Sequence, residues 1–201
     1  MQIEINIPAP CEKALEILER HGYEAYLVGG CVRDSILGRE PGDWDICTNA
    51  LPEEMIAAFA DYRLVLNGLK HGTVTVIIMR TAIEITTYRI DGEYEDNRHP
   101  KEVTFTSDLA LDLSRRDFTI NALAYNQEKG VVDCFGGLED LANGVIKAVG
   151  DPYKRFHEDG LRILRAVRFA CVLGFTYDER TKDAVRDCNY LLRNIATERI
   201  Q

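Results

Sequence analysis

Apolar and polar residues alternate most clearly over Gly72–Met79, where Val74, Val76 and Ile78 fall at every second position and predict a strand with one buried face. Tyr62–Leu66 and Ala82–Tyr88 read as strands on either side of it, the second joined through a hairpin turn at Met79-Arg80-Thr81-Ala82. Upstream the period changes. Ala14, Leu15, Ile17 and Leu18 among Glu and Lys give an amphipathic helix over Pro8–Arg20 that Gly22 ends. Tyr26, Leu27 and Val28 form a short apolar strand running into Gly29-Gly30, and Cys31–Leu37 continues as one or two helical turns. After the loop Gly38–Gly42, a strand opens at Asp43-Trp44-Asp45-Ile46. A helix follows from Leu51-Pro52 to about Phe59, with Thr48 or Asn49 as its cap. These elements predict a small mixed sheet flanked by helices.

Further along, Ile90–Pro100 (IDGEYEDNRHP) is poor in aliphatic residues and rich in Gly, Asp and Glu, which predicts a mobile loop. Ser107-Asp108 starts a helix, and the stretch Leu113–Ala124 reads LSRRDFTINALA. Val131–Gly137 is a strand and turn, Leu138–Leu141 a short helix, and Val145–Val149 a last strand. Beyond Gly150-Asp151-Pro152 the pattern becomes helical, with helices over Phe156–Leu173 and Asp178–Arg193 and the start of another at Thr197–Ile200. We therefore expect an α/β (α+β) unit over residues 1–150 and an all-α unit over 151–201.

The length of 201 residues suits one large or two small domains, and 46% hydrophobic with 28% charged residues is ordinary for a globular protein. The N-terminus MQIEINIPAP has no signal-peptide pattern and no apolar run reaches a membrane span, so a cytoplasmic location is the default expectation. Cys11, Cys31, Cys47, Cys134, Cys171 and Cys188 contain no Cys-x-x-Cys pair, and we expect them reduced, buried and inert. The four histidines lack metal-ligand spacing. A net charge of −9 argues against a general nucleic-acid coat. From Asp151 onward there are 10 Lys/Arg against 8 Asp/Glu, leaving 14 against 25 before it, so any anion-binding surface there depends on where its arginines sit.

The chemistry concentrates in a few stretches. Glycines at Gly29-Gly30 permit left-handed dihedrals and close backbone approach, and the helix that follows points free N–H groups at them, with Arg33 as an added cation; a phosphate fits there. On a strand, Asp43 and Asp45 share a face. Two carboxylates side by side suit Mg²⁺, which keeps several waters and takes phosphate oxygens, and a pair of such ions can activate a hydroxyl and stabilise a leaving pyrophosphate. A lone Asp-x-Asp is more often a solvated pair or a cap. Glu84, in EITTYR, is either a third acidic group at this site or an outward-facing edge residue. Arg115, Arg116 and Asp117 are either a phosphate or sugar clamp or a surface ion pair.

In HEDGLRILRAVRFA, residues Asp159, Arg162, Arg165 and Arg168 recur at steps of three on one predicted helix, and Glu158 faces Arg162. This row is either a set of solvated ion pairs or a set of anion contacts. Leu161, Ile163, Leu164, Val167 and Phe169 predict that the opposite side is buried, which favours the second. Cytosine and adenine both show an amino donor beside a ring-nitrogen acceptor. A carboxylate and a guanidinium, Asp159 and Arg162, would accept C and A and leave U and G with unpaired polar groups at about 1–3 kcal/mol each.

Taken together, Gly-Gly-x-Val-Arg-Asp at Gly29–Asp34, the Asp43/Asp45 pair, RRDFTINA and EDxxRxxR resemble the class II tRNA nucleotidyltransferases (CCA-adding enzymes) and bacterial poly(A) polymerases, from about Tyr23 to Gln201. The resemblance implies a nucleotidyltransferase head and an all-α, nucleotide-selecting neck. It implies addition of C, C and A from CTP and ATP to the tRNA 3′ end with Mg²⁺. By it, Asp43 and Asp45 are catalytic and bind metal; Gly29, Gly30, Arg33 and Arg116 contact nucleotide. Asp117 and Asn121 arrange ribose and backbone, Asp159 and Arg162 read the base, and Arg165 and Arg168 support them. The loop at Ile90–Pro100 is present in full, which favours A addition, and Val131–Leu141 is expected to flex between head and neck. Gly68–Thr73 looks more like the CCA-adding form, with poly(A) addition as the alternative. The chain stops at ATERIQ, where the next motif would begin, so a fragment or minimal core is expected, inactive on tRNA if the missing part presents the primer. No membrane and no protein partner are indicated.

Overall fold

The structure is a computed structural model that describes residues 3–92 and 103–195. Its centre is a seven-stranded mixed sheet built from β1 (Ala25–Val28), β2 (Asp45–Thr48), β3 (Arg63–Val65), β4 (Thr73–Ile78), β5 (Thr81–Thr87), β8 (Leu123–Asn126) and β9 (Gly130–Asp133), in the order β3-β4-β5-β2-β1-β8-β9. Only β2 and β5 run parallel; every other neighbouring pair is antiparallel. Val74, Val76 and Ile78 are buried as their alternation predicts. All four residues of β1 are buried because both sheet faces are covered, which is why this strand reads as an unbroken apolar run. Leu27 and Ile46 look into the larger core with α1 (Ala9–Arg20), α2 (Gly30–Ile36) and α3 (Pro52–Ala58). Tyr26, Val28 and Cys47 look into a second cluster with Tyr88 and with Leu113 of α4 (Leu109–Ser114).

Several expectations need correction. The strand carrying the aspartates begins at Asp45, so Asp43 and Trp44 lie ahead of it. Leu123–Asn126, to which the sequence alone assigns no element, is the central strand β8, paired with β1 on one side and β9 on the other. Arg89–Asp91 is strand β6, paired with β7 (Val103–Phe105), so the predicted loop starts later than Ile90; its residues 93–100 lie outside the described residues. Glu84 is not on an edge, since β5 sits between β4 and β2. α3 is capped by Glu54, whose Oε2 accepts from Leu51 N–H at 2.7 Å, while the Thr48 hydroxyl donates to Glu24 O instead. The last head strand shortens to β10 (Val145–Ile146), preceded by α5 (Gly137–Asn143).

The helix expected over Phe156–Leu173 is two helices, α6 (Pro152–Glu158) and α7 (Leu161–Leu173). Asp159 ends α6 in an extended conformation at φ −142°, its Oδ1 accepts from Leu161 N–H at 2.9 Å, and α7 starts after Gly160; an extended residue followed by glycine interrupts the run instead of continuing it. α7 buries Arg162, Ile163, Ala166, Phe169 and Leu173, whereas Val167 is exposed and Leu161 and Leu164 are half-buried. The next helix, α8, is limited to Glu179–Asp187, followed by a 3-10 turn at Asn189–Asn194; Thr197–Ile200 lies outside the described residues. The part after Asp151 is not wholly helical, because β11 (Thr176–Tyr177) pairs in parallel with β10. Cys134 and Cys171 are exposed; the other four cysteines are buried. Among the described residues no helix is long and apolar enough to cross a membrane.

Candidate active site

At the carboxyl end of β1 the chain turns through Gly29, whose φ of +81° is the left-handed region that glycine tolerates. Space is restricted as well: a Cβ on Gly29 would lie 3.0 Å from Arg116 Nη1. The glycine therefore lets a guanidinium and the backbone meet. Next to β1, Asp45 opens β2, and its register partner across the parallel pair is Glu84 of β5. Alternation turns both away from the core that holds Ile46, Ile83 and Ile85. Burial first, and then the nearby charge of Asp43, push the Asp45 carboxyl up to about 6; Arg116 opposes that rise and Glu84 adds to it. Asp43 is exposed ahead of the strand.

Arg33, expected as an added cation at the glycine turn, lies against it, with Nη2 3.7 Å from where a Cβ on Gly30 would stand, and its guanidinium is already paired. It is buried, with Nε and Nη2 donating to the two oxygens of Asp34 at 2.8 and 2.9 Å and Nη1 donating to Asn121 Oδ1 at 2.6 Å. Its guanidinium lies 4.9 Å from the centre of the Phe169 ring on α7. Asn121 Nδ2 in turn donates to Asp117 Oδ1 at 3.0 Å, and Arg165 Nε donates to Asp117 Oδ2 at 2.7 Å. This chain of contacts runs from the glycine turn to α7. Burial alone would raise the Asp117 carboxyl, but Arg165 and the donors of Asn121 and Phe118 N–H outweigh it and hold the group below its ordinary value. Phe169, which carries contacts from both Arg33 and Arg165 and packs edge-on against Phe118, was legible in the sequence only as an apolar position.

The proposed base readers are neighbours at the start of α7. Arg162 is buried, with Nη1 donating to Glu158 Oε2 at 2.8 Å and to Arg155 O at 3.1 Å, and Nη2 donating to Arg115 O at 3.0 Å. Asp159 lies between α6 and α7, its Oδ1 accepting from Leu161 N–H. Arg168 is exposed, 6.0 Å from the Phe169 ring, and has no ion-pair partner among the described residues. The structure thus brings Gly29, Asp45, Glu84 and Arg116 to one place. It ties Arg33, Asn121, Asp117 and Arg165 together beside it.

This arrangement is matched over residues 25–147 by the family model of the poly A polymerase head domain. The chain belongs to the poly A polymerase head-domain family. Its relatives in that family include the CCA-adding enzyme of Lactobacillus helveticus, 51% identical over 187 residues, which are 93% of this chain and 46% of that protein. Among solved structures, the CCA-adding enzyme of Bacillus stearothermophilus in complex with CTP superposes with a TM-score of 0.85 at 43% identity, over 96% of this chain and 47% of that one. The Thermotoga maritima CCA-adding enzyme complexed with tRNA-CCA superposes at 0.79 and 28% identity, over 98% of this chain and 46% of that one. The chain spans about half the length of the relatives it matches.

Proposed function

We propose that the chain is the catalytic and nucleotide-selecting core of a template-independent RNA nucleotidyltransferase that adds C, C and A from CTP and ATP to the tRNA 3′ end and releases pyrophosphate. The observation that carries this reading is the meeting of Asp45, Glu84, Arg116 and the Gly29 turn at one end of the central strands. Relatives named for CCA addition, of whose length this chain spans about half, one of them solved with CTP and another with tRNA-CCA, support it and weigh against poly(A) addition.

The acidic side chains fit a divalent cation. A carboxyl pushed up to about 6 by burial and by two other carboxylates is one that a bound cation would relieve. Asp43 and Asp45 would hold Mg²⁺, with Glu84 next to them. Among the described residues no three His, Cys, Asp or Glu side chains are grouped closely enough to hold an ion alone, so triphosphate oxygens and water complete the shell on this reading. A two-ion site of this kind supplies activation of the attacking 3′ hydroxyl and stabilisation of the leaving pyrophosphate.

The protein's own groups bind and orient. Arg116 offers its guanidinium to phosphate oxygens at the glycine turn, and Asp117 with Asn121 fixes the segment that follows it. Asp159 would accept from the amino group of C or A while Arg162 donates to the ring nitrogen. For that, Arg162 has to exchange one of its contacts with Glu158, Arg155 or Arg115 for the base edge.

The test is incubation with Mg²⁺, a tRNA lacking its 3′ CCA, and each labelled NTP singly and together, beside an Asp43→Ala/Asp45→Ala control. Ordered addition of C, C and A with a silent control supports the reading. Repeated addition of A alone to any RNA would replace it with poly(A) polymerase activity. CTP and ATP binding without incorporation would reduce the function to nucleotide selection.

A further inference from the structure

Asp112 on α4 has none of its surface exposed and plays no part in the reading above. A carboxylate taken that far from water needs donors or cations around it. Its Oδ1 accepts from Arg89 backbone N–H at 3.1 Å and from Arg115 Nε at 3.0 Å, and Arg115 Nη2 lies at 2.9 Å. That oxygen is fully used. The other, Oδ2, is turned one helical step forward to Arg116, whose Nη2 lies at 3.5 Å, and it has no hydrogen bond among the described residues.

Arg116 has few other restraints. Its Nε has no hydrogen-bond partner, and Asp112 is the one carboxylate ion-paired with it among the described residues. Its Nη1 is the atom that would meet a Cβ on Gly29 at 3.0 Å. An arginine side chain has many rotamers open to it and, unanchored, spreads into solvent. A buried carboxylate four residues earlier, on α4, holds the guanidinium of Arg116, which follows the end of that helix, on the glycine turn instead.

We propose that Asp112 is a positioning residue for nucleotide binding, acting through Arg116 by pinning its guanidinium against the Gly29 turn. This rests on the nucleotide-binding reading of Arg116. The experiment is a double-mutant cycle read as the Kd for CTP and for ATP, with Ca²⁺ as the divalent ion, by titration calorimetry on the full chain. Asp112→Asn in the wild-type background is expected to weaken both nucleotides by about tenfold, the scale of one charge-assisted contact. In an Arg116→Ala background the same change is expected to alter Kd by less than about twofold, whereas in an Arg115→Ala background the tenfold effect persists. A carboxylate that merely supports the fold would weaken binding equally in all three backgrounds, and that result overturns the proposal. So does unchanged affinity in a folded Asp112→Asn protein. If Asp112→Asn does not fold, Asp112→Glu carries the cycle; failure of both to fold assigns Asp112 to the fold and overturns the proposal. Wild type that binds neither nucleotide removes the functional reading itself, whereas loss in Arg116→Ala without loss in Asp112→Asn removes only the role of Asp112.

Discussion

Asp45 and Glu84 are register partners in the only parallel pair of the central sheet, so two acidic side chains stand side by side on one face of β2 and β5. The fold holds them together although it costs stability, and that cost can be measured. The Asp45 carboxyl sits at about 6 in the folded protein, through burial and then Asp43, against roughly 4 when unfolded. Below pH 4 both states hold the proton and no penalty exists; as pH rises through 6 the folded state must ionise a buried group and loses on the order of 2–3 kcal/mol. Asp45→Asn should therefore melt above wild type at pH 8 in EDTA, with the difference vanishing towards pH 4. Mg²⁺ should raise the melting temperature of wild type more than that of the variant. Thermal melts followed by circular dichroism across this range decide it, and a variant less stable than wild type at pH 8 would refute the assignment.

Gly29→Ala combines a left-handed φ of +81° with a methyl group 3.0 Å from Arg116 Nη1. We expect a loss of about 1–2 kcal/mol in urea unfolding and a larger proportional loss of CTP affinity, because the guanidinium has to leave the turn. Gly38→Ala, also at positive φ but with nothing within 4 Å of its Cβ, should cost stability alone.

Arg165→Met leaves the buried Asp117 without its cation. Since the Arg165 side chain is 41% exposed, solvent screens part of the pair, and the expected loss is roughly 1–3 kcal/mol at pH 7 rather than the full range for a buried pair. The depressed Asp117 carboxyl contributes stability that is present above its unfolded pKa and lost as pH falls. The gap between wild type and variant should accordingly narrow in acid, as urea midpoints at pH 7 and pH 3 would show.

Arg168→Ala removes an exposed cation that has no carboxylate partner among the described residues. Stability should change by less than about 0.5 kcal/mol. Nucleotide binding should weaken and lose part of its salt dependence, measured as Kd for ATP between low and high ionic strength.

Thiol accessibility offers an independent check on packing. Cys134 and Cys171 should react with a thiol reagent in the native protein, while Cys11, Cys31, Cys47 and Cys188 react only after unfolding. Burial pushes Cys11 and Cys31 up to about 11, which slows them further. Native reactivity of more than two thiols would contradict the described core.

The sequence by itself determined the element types wherever one face of an element meets water. The alternation of Val74, Val76 and Ile78, the amphipathic α1 and the glycine turn after β1 all appear where their patterns put them, because period and backbone freedom are local properties. The same holds for which residues carry chemistry: Gly29, Asp45 and Arg116 stand in motifs whose spacing can be read along the chain. What depends on the partner across space could not be read there. β8, to which the sequence alone assigned no element, is a strand because it pairs with β1, a partner far away in the chain. Asp159 separates α6 from α7 instead of lying within one helix, its extended backbone letting the carboxylate accept from the Leu161 N–H. Asp112 is one polar letter in LALDLSRR, and only the packing of α4 under the sheet leaves its carboxylate with no water and two arginines. Periodicity is written residue by residue, whereas burial and the pairing of charges are decided by elements that lie far apart in the chain.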